Sequence, residues 1–254
     1  MTLSLLADRL RGGDTVLTAW CGIPDPMVPA ALAAEDFDAV TLDMQHGVLD
    51  LAAAIRAIPM VAAAGKPALA RIPIGDFASA SKLLDNGASA VIAPMINTLE
   101  DARRFPAFMK YPPLGERSWG PAGALALSRM AMPDYLARAN GMALAFAMVE
   151  TREALSILDD ILAVPGLDGV LIGPGDLSIA LSNGAEMNPL SPAVDRALDD
   201  VARRTRNAGK FAAVYATTGE RARAMFAKGY HVCAVGSDLG YLKAGAKAMI
   251  QAAR

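Results

Sequence analysis

Cysteine is nearly absent. The two that occur, Cys21 and Cys233, lie in separate apolar runs and are expected to be small buried hydrophobes of a reducing compartment, not a disulfide framework. Histidine is just as scarce, with only His46 and His231. There is no excess of positive charge: the formal net charge is −2, which leaves no basic face for nucleic acid or anionic lipid. No apolar run approaches the ~20 residues of a membrane span. The first ten residues carry Asp8 and no small-residue cleavage site, so they read as a short amphipathic helix and not a signal peptide. A cytoplasmic protein is the expectation.

What is present is apolar surface in quantity. Hydrophobic residues make up 54% of 254 and charged residues 20%, enough for a large core and against disorder. Much of the apolar share is alanine, which suits helices packed closely on a sheet. Strand-like runs recur at 16–23, 39–46, 66–73, 90–97, 143–150, 170–173, 211–216 and 232–236. Helical spacing falls at 25–34, 51–64, 76–86, 99–109, 193–208, 218–228 and 239–253, with Pro59 expected to kink the second of these. Strands alternating with helices over about 250 residues predict one α/β domain spanning 1–254, a (β/α)8 TIM barrel with an extra N-terminal helix. An open doubly wound sheet is the alternative. The connection 110–130 is expected to be a long loop serving as a lid or an interface.

Barrels of this kind carry their active groups at the C-terminal ends of the strands. Reading those ends yields Trp20, Asp43, Gln45, His46, Arg71, Asn97, Glu150, Gly175, Asp176 and Thr217. His231 opens the eighth strand and so belongs to the opposite end, as a structural residue. Arg71 suits either a salt bridge in the mouth or an anionic substrate. The fifth and sixth strands each deliver one acid to the same edge, Glu150 and Asp176. Together they make a hard oxygen site for Mg²⁺ or Mn²⁺, although Asp176 also suits a helix N-cap. None of the seven lysines closes a strand, which argues against a Schiff-base lysine.

Six motifs in order then resemble one family. They are Leu42-Asp-Met-Gln-His-Gly47, Ala70-Arg-Ile-Pro73, Leu84-Asp-Asn-Gly-Ala88, Tyr111-Pro-Pro, Val149-Glu-Thr-Arg152 and Ile172-Gly-Pro-Gly-Asp-Leu-Ser178. Together they resemble the HpcH/HpaI aldolases, class II metal-dependent pyruvate aldolases acting on 4-hydroxy-2-oxo acids. The resemblance implies that Glu150 and Asp176 hold the divalent cation and that Arg71 contacts the oxo group. It further implies that His46 does acid/base work, oriented by Asp43 or Asp85. Trp20, Gly175 and Asp176 complete the expected substrate pocket, with backbone N–H groups around Gly175 holding the carboxylate. The implied partners are a 2-oxo acid and an aldehyde, and the implied assembly is a homo-oligomer, a hexamer with exchanged terminal helices. Three positions depart from the pattern: Met148 where glutamine is frequent, Gln45 where glutamate is frequent, and Arg117-Ser-Trp-Gly120 in place of a commoner Arg-Gly motif. The alternatives are an acyl-thioester lyase of the citrate-lyase type and a non-catalytic small-acid binding barrel. No basic cluster awaits the nucleotide tail that the former needs.

Overall fold

The computed structural model describes residues 2–254. Eight strands form its centre: β1 (Val16–Cys21), β2 (Ala39–Asp43), β3 (Ala68–Arg71), β4 (Ala90–Ala93), β5 (Leu144–Met148), β6 (Gly169–Ile172), β7 (Phe211–Ala216) and β8 (Val232–Val235). Each is parallel to its neighbours in chain order, and β1 pairs with β8 to close the barrel. The closed barrel is therefore the answer, and the open sheet is excluded.

Side chains of a strand alternate between two faces, and two separate cores follow from that. Val40, Leu42, Ala68, Ala70, Val170 and Ile172 face outward to the helices. Leu69, Ile92, Phe146, Met148 and Leu171 face inward, and Leu6, Ala7 and Leu10 of the N-terminal helix Thr2–Arg11 join them to plug the barrel's N-terminal end. The same alternation decides what the mouth contains. On β3, Leu69 is inside and so is Arg71; on β5, Phe146 and Met148 are inside and Glu150 continues that face.

Gly169 shows how tight the interior is. A Cβ there would collide with the Phe211 carbonyl oxygen and lie 2.7 Å from the Phe146 ring edge. Gly169→Ala is expected to cost about 3 kcal/mol of stability, the upper range for overpacking, since a strand backbone cannot step aside. Urea unfolding of the variant checks this.

Strand ends differ from expectation by a few residues, and helices by fewer; the helix Leu51–Ala63 runs through Pro59. The larger correction concerns 110–130, which is not a structureless loop. It contains the helix Ala122–Ser128 and leads into a second, Met132–Met142. Gly123 lets the first of these approach the backbone of Asn86, whose Cα a Cβ would meet at 2.9 Å. Both helices pack against the N-terminal helix, so this segment braces the barrel's closed end and contributes nothing to this chain's mouth. Two further helices unmarked in the sequence reading, Arg152–Ser156 and Leu158–Leu162, link β5 to β6. No helix among the described residues is long and apolar enough to cross a membrane.

Candidate functional site

A cavity of about 600 Å³ opens at the C-terminal ends of the strands, lined among others by Trp20, Asp43, His46, Arg71, Gly175 and Asp176. With Thr217, seven of the sequence-selected residues thus meet in one place.

At its floor, Arg71 donates from Nε to Asp43 Oδ1 (2.9 Å) and from Nη2 to Asp43 Oδ2 (2.7 Å). Both side chains are almost wholly buried. This fork leaves Nη1 turned to the Met148 sulfur at 3.9 Å, a weak acceptor, so one guanidinium edge stays free for a substrate oxygen. The Trp20 indole donates to Asp43 Oδ2 at 3.1 Å and lies 4.8 Å from the Arg71 guanidinium carbon. Trp20 therefore holds Arg71 and Asp43 in position as well as lining the cavity. Burial alone would raise the Asp43 carboxyl, but the Arg71 hydrogen bonds and charge, with Trp20 and the Gln45 N–H, hold it below the usual carboxylate range. The ion pair is thereby kept charged in the barrel.

His46 lies on the exposed loop after β2, at the cavity edge. Its backbone N–H reaches Asp43 Oδ1 at 3.4 Å, while its ring makes no hydrogen bond to any described residue. Two expected orienting partners are corrected here. Asp43 does not orient the imidazole, because Arg71, Trp20 and two loop N–H groups already engage both its oxygens. Asp85 is not in this mouth at all. It ends the helix Phe77–Asp85, which runs back toward the closed end, and it pairs there with buried Arg117 at 2.7 Å. His231 is structural as expected, its Nδ1 accepting from the Ala212 N–H at 3.1 Å.

Glu150 and Asp176 are the pair fitted to a cation. Glu150 is buried beneath Gly173; a Cβ on Gly173 would occupy the space of its Oε2. Oε1 accepts from the Met95 N–H at 3.1 Å, and Oε2 has no partner among the described residues. Met95 takes a left-handed backbone (φ 54°) to present that N–H, strain placed at the site. A buried carboxylate with an orphaned oxygen beside a second acid is the donor set a divalent cation completes. Asp176 does not cap its helix: Gly173 is the N-cap of Pro174–Leu181, leaving the Asp176 carboxylate exposed to the cavity. No group of three or more candidate ligands gathers among the described residues. Above Gly175 a Cβ would meet nothing within 4 Å, which leaves the helix's first N–H groups open to an anion.

Burial, then the Asp176 charge, pushes the Glu150 carboxyl from 4.5 up to about 7, against the Met95 N–H and Arg71. A carboxyl raised on folding stabilises the metal-free fold fully below 4.5 and loses that contribution as pH rises to about 7. The stability difference between parent and Glu150→Gln in chelator is expected to shift by about 3 kcal/mol across that window. Mn²⁺ should remove the shift. Taking the difference cancels His231, whose burial lowers its pKa and whose slope has the opposite sign in both proteins. Urea unfolding at pH 5 and pH 8 measures it.

Two residues of the mouth were missed in the sequence. Asp238, buried at the start of the last helix, accepts from the Gly22 and Ile23 N–H groups at 2.7 and 2.8 Å and ties the β1 loop down. Tyr215 of β7 stands edge-on to Trp20 at 5.5 Å. Asp238 sits two residues past Gly236, within reach of the strand-end rule. Asn97 and Thr151 hydrogen-bond each other next to Glu150 and do not line the cavity.

The family model HpcH/HpaI aldolase/citrate lyase matches residues 18–244. A hydroxypyruvate/pyruvate aldolase of Rhizorhabdus wittichii is 36% identical over 242 residues, 95% of this chain and 95% of that protein. A 4-hydroxy-2-oxo-heptane-1,7-dioate aldolase of Klebsiella pneumoniae is 33% identical over 95% of this chain and 91% of its own length. The crystal structure of an HpcH/HpaI aldolase from Desulfitobacterium hafniense superposes with a TM-score of 0.89 over 98% of this chain and 96% of that one, at 24% identity.

Proposed function

The chain belongs to the HpcH/HpaI aldolase/citrate lyase family, and from that premise we propose that it is a class II aldolase. It cleaves 4-hydroxy-2-oxo acids reversibly to pyruvate, or a related 2-oxo acid such as hydroxypyruvate, and an aldehyde. The observation that carries this reading is the buried Glu150 carboxylate with its unpartnered Oε2, within the fields of Asp176 and Arg71. Glu150 and Asp176 would hold Mg²⁺ or Mn²⁺, which when bound supplies Lewis-acid polarisation of the 2-oxo group.

The chain's own residues do the rest. The first N–H groups of the helix Pro174–Leu181 bind the substrate carboxylate. Arg71, kept charged and aimed by Asp43 and Trp20, donates to the oxo oxygen as it gains negative charge on the way to the enolate. His46 takes the proton from the 4-hydroxyl as the C3–C4 bond breaks, and returns it to the aldehyde oxygen in the reverse direction. With no carboxylate of this mouth on its ring, His46 acts through water or a group brought by the substrate. Met148 in place of a polar side chain gives that water network one hydrogen-bonding group fewer.

The assay is pyruvate release from a panel of 4-hydroxy-2-oxo acids with divalent metal present. Release supports the aldolase. Cleavage of acyl thioesters alone would favour the citrate-lyase type, and binding without turnover the non-catalytic barrel.

Assembly as a homo-oligomer, a hexamer with exchanged terminal helices, is part of the proposal. Of the helix Asp238–Ala253 only Asp238 is buried, while Leu242, Met249 and Ile250 are 59%, 74% and 53% exposed. Such an apolar helix standing off its own barrel is suited to cover by another copy. Light scattering is expected to give a multiple of the chain mass, and a monomer at working concentration would contradict it. The free, buried state of Cys21 and Cys233 suits a cytoplasmic setting.

A further inference from the structure

From the outer half of the mouth we infer that the aldehyde partner is a neutral, apolar aldehyde, aliphatic or aromatic, and not one that ends in a carboxylate. The inference rests on the aldolase reading, because that reading decides which half of the cavity receives which half of the substrate. The oxo-acid half is bound deep, at Arg71, Glu150 and Gly175. C3, having given up a proton, bonds the aldehyde carbon, and the aldehyde oxygen takes up a proton; nothing is oxidised or reduced. The remainder of the aldehyde therefore extends outward from the barrel axis toward the rim.

That rim is apolar. Ile23, Val48, Met187, Leu190 and Leu239 line it, and the last four are 82%, 67%, 62% and 56% exposed. Large apolar side chains gathered round a concave opening gain from covering by an apolar ligand. A terminal carboxylate would need a cation without an acidic partner there, and among the described residues that line the cavity no guanidinium lacks one. Arg71 is spent on Asp43 and the oxo group. Arg221, the other guanidinium of the mouth, is held by Asp195, to which its Nη2 donates at 2.5 Å. Asp238, which accepts from the Gly22, Ile23 and Leu239 N–H groups and pairs with no described cation, adds negative charge to the mouth. His46 is the remaining basic group, and it is engaged in proton transfer. A carboxylate-ended aldehyde would strip its charge of water against Leu190 and Met187 with no partner.

The test compares two aldehydes of matched shape, 4-methylpentanal and succinic semialdehyde, which differ by an isopropyl group in place of a carboxylate. With pyruvate and Mn²⁺ in the condensation direction, kcat/KM is expected to favour 4-methylpentanal by about tenfold or more. Leu190→Arg should reverse the order by raising kcat/KM for the semialdehyde; Val48→Arg provides the same reading if the first variant folds poorly. A preference of the parent for succinic semialdehyde would overturn the inference. So would variants that change the oligomeric mass and lower both aldehydes equally, since the rim would then be an intersubunit face. Exchange of pyruvate methyl protons with deuterated water, measured on the parent without aldehyde, separates the two readings. Without that exchange the aldolase proposal itself fails; with exchange but the wrong preference, only the aldehyde assignment fails.

Discussion

Glu150→Gln is expected to lower metal-dependent cleavage by about 10³-fold or more. The substitution keeps the shape of the side chain and its Oε1 contact with the Met95 N–H at 3.1 Å, so the fold is retained. It removes the negative charge and half of the hard-oxygen pair. A Lewis acid contributes several kcal/mol of charge stabilisation in the transition state, and at about 1.4 kcal/mol per decade that is the expected loss. Mn²⁺ affinity, read by the paramagnetic relaxation of water protons, should fall with it. Unchanged turnover and unchanged Mn²⁺ binding would remove Glu150 from the site.

His46→Ala is expected to leave Mn²⁺ binding nearly intact and to lower turnover by about 10² to 10⁴, the range for a lost general acid/base. The ring is exposed at the cavity edge and makes no hydrogen bond to any described residue, so its removal takes no packing from the core. The drop should appear in kcat rather than in KM, since proton transfer is a property of the transition state. Exchange of pyruvate methyl protons should suffer less than cleavage, because His46 acts at the 4-hydroxyl and not at C3. A variant that cleaves at the parent rate would make His46 a surface residue of the loop.

Much of this site was legible because a strand has a period of two. Once β3 and β5 are recognised as strands, Leu69 inside puts Arg71 inside, and Phe146 with Met148 inside brings Glu150 to the mouth. The Gly173-Pro174-Gly175 break likewise marked where β6 empties onto Asp176. Other features depend on contacts between distant segments and leave no local trace. The left-handed turn at Met95 goes with its bond to Glu150, 55 positions away. The helix Ala122–Ser128 is mostly alanine and leucine, good helix formers, but at seven residues it is too short to hold by propensity alone and is seated where Gly123 fits against Asn86. Asp85 illustrates a different error. It came from a motif match and not from a strand end, and the strand-end rule alone would have left it out of this mouth.

Whether carbon–carbon cleavage runs on a divalent cation held by Glu150 and Asp176 is measured most directly on the parent protein stripped of metal. Pyruvate released from a 4-hydroxy-2-oxo acid is followed in chelator, then after Mn²⁺ or Mg²⁺ is restored, with borohydride and pyruvate added in parallel for mass spectrometry. The expected result is no release in chelator, recovery on adding the cation, and an unmodified mass after borohydride. Full release in chelator, or a pyruvyl adduct on one of the seven lysines, would contradict it and place the chemistry on a Schiff base.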